Sequence, residues 1–107
     1  MTAKMPEAAQ RTADEFPDVW AAYQALGQTT EAAGPLDTKT IRLVKLGIAI
    51  GASFDSAARS HIRRGLREDG VTSDELRHAA LLAITTVGWS RGVAALDWIK
   101  KVEDEKL

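Results

Sequence analysis

His61 is the residue whose type and setting most invite chemistry. It lies in the stretch 41–66, IRLVKLGIAIGASFDSAARSHIRRGL, beside Arg59, Arg63 and Arg64 and among the small residues Ala57, Ala58 and Gly65. An imidazole near neutrality can give or take a proton, and a decarboxylation without a cofactor needs one once carbon dioxide has left a carbanion or enolate behind. The competing reading is a core histidine bonded to a backbone carbonyl. Arg63 and Arg64 could grip a substrate carboxylate through paired N–H donors, and Arg42, which interrupts an otherwise apolar run, could point into the same space. The alternatives for these arginines are a solvated basic face or ion pairs with Glu68 and Asp69. A charge in Arg42's position must find a partner or a wet pocket. Trp89, at a helix break, could roof such a pocket, and Ser53 and Asp55 are candidate caps for the His61 helix. His61 and His78 are the only histidines and share no ligand spacing, so no metal is expected.

The elements that must position these groups are all helical, with nothing that reads as a strand. Residues 41–50 are apolar nearly all round and form a central helix that must be covered on most sides, ending near Gly51. The His61 helix follows and runs to Gly70. Thr72 with Glu75 fits a capping box, Ser73 with two acids in its first turn fits an alternative start, and the run 78–89 is a second buried helix. A tight break at 88–90 precedes a last helix with Val93, Leu96, Ile99 and Val102 on one side. Upstream, residues 1–14 form a polar segment or short helix, with Pro6 and Glu7 suited to a first turn. Phe16, Val19, Trp20, Tyr23 and Leu26 then make an amphipathic helix whose aromatic stripe should lie on the core, with Gly27 as its stop. Gly34-Pro35 marks a turn, and Asp37 can cap the central helix.

One compact domain spanning 15–107 is expected of a chain of 107 residues. Two helices apolar all round are hard to cover in so short a chain, so contacts between subunits should complete the burial. A net charge of −1 at neutral pH argues against nucleic acid or acidic membranes as partners. No run resembles a signal peptide or reaches the length of a membrane span, which makes the cytoplasm the expected location. The chain contains no cysteine, and that removes disulfides, thiolate ligands and any redox cycle through a thiol.

The run LDTKTIRLVKLGIAIG, then SHIRRGLREDGVTSDEL, then LLAITTVGW resembles the carboxymuconolactone decarboxylase family, whose fold is shared with the AhpD alkylhydroperoxidases. The resemblance covers about 16–98. It implies an all-α, AhpD-like bundle with a helical hairpin at the site, assembled as a trimer or hexamer. The peroxidase branch carries C-x-x-C-x-x-x-H and a preceding glutamate. With His61 on the motif histidine, Phe54 and Ala57 fall on the two cysteines, and Arg42 falls roughly on the glutamate. Thiol peroxidase chemistry is therefore not expected of this chain. The decarboxylase branch lacks the cysteines and keeps an H-[IL]-R pattern followed by GVT and Glu, which His61-Ile62-Arg63 and Gly70-Val71-Thr72 through Glu75 resemble. The implied function is cofactor-free acid/base chemistry on a small carboxylated or lactone metabolite, with His61 as proton donor or acceptor. The alternative is an inactive, oligomeric binding or scaffold member of the same fold. The departures are a different N-terminal segment and Ser90 where a proline is usual.

Overall fold

The computed structural model describes residues 5–105, which fold into six helices with no strand. They are α1 (Glu7–Glu15), α2 (Pro17–Ala32), α3 (Thr38–Gly51), α4 (Asp55–Arg67), α5 (Ser73–Val87) and α6 (Trp89–Glu103). The described residues divide into two compact units, 5–37 and 38–105. The all-α expectation holds across the described residues.

In the first unit α1 begins after Pro6, and Phe16 separates it from α2. Proline at the first position of α2 loses nothing there, because the first amides of a helix have no intrahelical acceptor. Gly27 does not stop α2, which runs on to Ala32. A glycine inside a helix costs only about 1 kcal/mol against alanine, and the Thr29 and Thr30 hydroxyls bond back to the carbonyls of Ala25 and Gly27. The turn at Gly34-Pro35 is where the helix has ended. Within its own unit the aromatic stripe finds no core: Phe16, Val19, Tyr23 and Leu26 are exposed, and no residue of α2 is buried. Its partner helix α1, EAAQRTADE, offers alanines and polar side chains and cannot cover such a face. Trp20 and Tyr23 stack on each other instead, with ring centroids 5.8 Å apart.

The second unit holds the core. Leu46 and Ile50 of α3, Ile62 of α4, Leu76 of α5, and Ile99 and Val102 of α6 are fully enclosed, joined by alanines at positions 58, 80 and 95. Those alanines let helices approach closely. Gly92 marks the tightest approach: a Cβ there would lie 2.3 Å from Cγ1 of Ile84 and 3.1 Å from the Ala80 carbonyl oxygen. The α5 N-terminus is fixed as the spacing predicts. Thr72 Oγ1 accepts from the Glu75 amide at 3.1 Å, and the Glu75 carboxylate accepts from the Thr72 amide at 2.8 Å. Of the two candidate starts, the capping box is the one used.

α3 and α5 each bury a single face and leave Val44, Ile48, Leu81 and Leu82 exposed, because a unit of four helices supplies neighbours on only one side; within one chain they are as hard to cover as the sequence suggests. Two expectations change. The α4 helix ends at Arg67, short of Gly70, whose φ of +70° carries the chain toward α5. In α6 the buried face is Gly92, Ala95, Trp98, Ile99 and Val102, and Val93 is exposed, because steps of three residues drift round the helix and carry Val93 away from the face that holds Ile99 and Val102.

Candidate functional site

The hairpin of α3 and α4 is closed by a specific turn. The Ser53 amide donates to the Ile50 carbonyl at 2.9 Å and the Phe54 amide to the Ala49 carbonyl at 2.9 Å, with Ser53 left-handed at φ +55°. This is the double bond pattern of a Schellman helix end, where the left-handed residue is commonly glycine. Here that residue is Ser53 rather than Gly51. Its hydroxyl accepts from Arg91 Nε at 2.8 Å, which ties the turn to the start of α6. Ser53 and Asp55 do not cap α4: Phe54 occupies the cap position with no side-chain bond, and the Asp55 carboxylate pairs with Arg59.

Between the two helices and this turn lies a cleft of about 230 Å³, lined by Lys45, Ile48, Ala49, Ala52, Phe54, Ala57 and His61. Phe54 borders the cleft and does not fill it, being 58% exposed. Ala57, one turn before His61, leaves its floor open. The neighbouring Ala58 is fully buried and belongs to the core. Wall atoms are mostly carbon, so the polar content of the cleft is concentrated at His61 and Lys45.

His61 is joined to a chain of buried polar groups. Its Nδ1 lies 2.6 Å from Nη1 of Arg42, whose Nε donates to Oδ2 of Asp69 at 2.6 Å. Arg42 is the one charged residue classed as buried among the described residues, at 5% exposed. Its stem runs past Gly65, where a Cβ would come within 3.2 Å of the Arg42 Cγ. Gly65 thus makes room for Arg42, whereas the sequence suggested that it made room beside the imidazole. Burial in this setting pushes the His61 pKa down from 6.5 to about 4, helped by the positive charges of Arg42, Arg64 and Lys45 and opposed by Asp69. The ring is neutral at physiological pH.

The other candidates lie apart from this chain. Arg63 forms a two-pronged pair with Glu105, Nε to Oε2 at 2.8 Å and Nη2 to Oε1 at 2.6 Å. Those hydrogen bonds hold the Glu105 carboxyl below its usual range and raise Arg63. Arg64 is half-exposed, 3.6 Å from Glu68, and acts on His61 through its charge. Trp89 is 70% exposed and is not among the residues bordering the cleft. Lys45, Ile48, Ala49 and Ala52 were not singled out from the sequence. The signal was available, since Lys45 and Ala49 follow Arg42 at helical spacings of three and seven. No three metal-ligating side chains cluster among the described residues.

A sequence profile of the carboxymuconolactone decarboxylase family matches residues 17–101. The chain belongs to this family. It is also 22% identical over 89 residues to an uncharacterized protein of Methanocaldococcus jannaschii, covering 83% of this chain and 86% of that relative. Phe54 and Ala57, which the spacing to His61 puts on the cysteine positions of the resembled peroxidase-branch motif, both border the cleft with His61. Arg42, which the sequence sets roughly on that branch's glutamate, bonds the histidine.

Proposed function

We propose that this chain is a cytoplasmic homo-oligomer, a trimer or hexamer, that binds a small carboxylated or lactone-type organic acid in the α3–α4 cleft and carries out cofactor-free decarboxylation or related polar chemistry at His61. The observation that carries this reading is the open cleft at the family's motif positions, with a neutral imidazole in its wall. A volume of about 230 Å³ suits a metabolite of a few carbons, below the usual ~300 Å³ lower bound for drug-sized ligands. The mostly apolar lining favours loss of a carboxylate's charge as carbon dioxide forms. Lys45, Arg42 and Arg64 bring positive charge to attract the acid, while Arg63, held by Glu105, takes no part. Peroxide reduction has no nucleophile in this chain, because it requires a thiolate and the sequence has no cysteine.

A second reading has its own support. The apolar lining and the settled Arg42–Asp69 pair suit a member that binds or assembles without catalysis. Titrating the His61 ring by NMR with and without a carboxylated lactone or a β-keto acid separates the two. A bound anion should raise the ring's pKa from about 4, since a nearby negative charge favours the imidazolium. Ring signals that ignore every acid tried would remove the catalytic reading and leave the scaffold.

A further inference from the structure

The contact between Arg42 and His61 decides which imidazole nitrogen holds the proton. A guanidinium has only donors and stays charged at any working pH. At 2.6 Å from Nη1, Nδ1 must therefore offer its lone pair, and a neutral ring then keeps its single hydrogen on Nε2. Arg42 has little freedom to yield, because its Nε is bound to Asp69, its stem is wedged against Gly65, and it is 5% exposed. Protonating Nδ1 would set two N–H groups and two positive charges against each other. Lys45 from α3 and Arg64 from α4 oppose that further, and Asp69, in the connection to α5, is the one opposing charge.

We propose that Arg42, anchored by Asp69, is a positioning residue that fixes His61 as the Nε2–H tautomer, so that His61 serves the cleft as a neutral hydrogen-bond donor to a developing oxyanion and not as a carrier of protons. The donor role rests on the reading of the cleft as an organic-acid site. In that reaction the bond to the carboxylate carbon breaks and carbon dioxide leaves. The electron pair passes into the conjugated carbonyl and gives an enolate. The enolate oxygen accepts from Nε2–H, and the hydrogen stays on nitrogen. Water then protonates the carbon and leaves hydroxide, so one proton is consumed from the medium overall. Nε2 has no lone pair to act as a base, and a neutral imidazole holds its N–H too tightly to act as an acid. This sharpens the sequence expectation of a proton donor or acceptor.

The tautomer is measurable in the free protein. In multiple-bond proton–nitrogen spectra of the nitrogen-labelled chain, Nδ1 should resonate as an unprotonated nitrogen and Nε2 as a protonated one, from neutral pH down toward about 4. Arg42→Met should give mixed tautomers and a ring titrating nearer 6.5; if that variant does not fold, Arg42→Met with Asp69→Asn, which removes the orphaned charge, serves instead. A wild-type ring protonated at Nδ1 or in mixed tautomers, or a variant ring unchanged in both respects, overturns the role of Arg42 whatever the cleft binds. With a β-keto acid as substrate, kcat/KM, which reports the free enzyme, should be level from neutral pH down through 6.5. His61→Gln, which keeps an N–H donor, should retain about a tenth of turnover, and His61→Phe should lose about 100-fold, the usual range for one oxyanion donor. Equal losses in the two variants, or a rate limb near 6.5 in the wild type, would show proton transfer and overturn the donor role. If no acid binds or turns over, the organic-acid reading fails and the donor role with it, while the tautomer result still judges Arg42.

Discussion

Removing the Arg42 guanidinium would leave the Asp69 carboxylate, whose side chain is 12% exposed, without the cation now 2.6 Å away. Stripping one partner from a buried pair costs about 3 kcal/mol or more, because the remaining charge is uncompensated. Urea unfolding of Arg42→Met should show a loss of that order, and adding Asp69→Asn should recover part of it. A single variant as stable as the wild type would mean that Asp69 is not held by Arg42. The need for such a partner was legible in the sequence, where one arginine interrupts an apolar run. Asp69 is one of the two acids that the sequence offers these arginines, but which arginine it takes was not legible, since it lies 27 residues from Arg42. The same limit applies to Arg63. An ion pair was one expected reading, but its partner Glu105 is 42 residues distant on α6.

Helix boundaries were legible wherever local chemistry decides them. The Thr72–Glu75 box, the end of α3 at Gly51 and the break at Gly88 are all set within a few residues. What failed were inferences about which faces find neighbours, because periodicity shows that a helix has an apolar face without showing what packs on it. The exposed stripe of α2 is the clearest case. Close helix contact is similarly invisible before the fold is known, and it sets apart two glycines that both lie inside helices. At Gly92 a Cβ would strike Ile84 and the Ala80 carbonyl, whereas at Gly27 it would meet nothing within 4 Å. Gly92→Ala should destabilise by about 1–3 kcal/mol through forced separation of α5 and α6. Gly27→Ala should stabilise α2 by roughly 0.5–1 kcal/mol through reduced backbone entropy. Thermal melts of the two variants should move in opposite directions, and equal shifts would refute the close approach at Gly92.

The second unit leaves Ile48, Phe54, Leu81, Leu82 and Trp89 exposed. The proposed oligomer would cover such surface, and light scattering should give several times 11.6 kDa at micromolar concentration. A monomer would rule that assembly out. Stability should also depend on pH through His61, and the sign follows from its two pKa values. Unfolded, the ring takes a proton near 6.5; folded, it resists until about 4. Across that interval the unfolded chain binds more protons, so stability falls as pH is lowered through it. Glu105 and Glu75, held below the ordinary 4.5 chiefly by hydrogen bonds from Arg63 and the Thr72 backbone, contribute stability that is lost only below 4.5. The loss between 6.5 and 4.5 is therefore assigned to His61. Urea midpoints taken at one protein concentration, so that association stays constant, should decline over that window in the wild type. In His61→Asn they should stay level there and fall only at lower pH. A decline of equal slope in both proteins would place the responsible proton on another group, and with it the claim that burial beside Arg42 keeps this imidazole neutral would be lost.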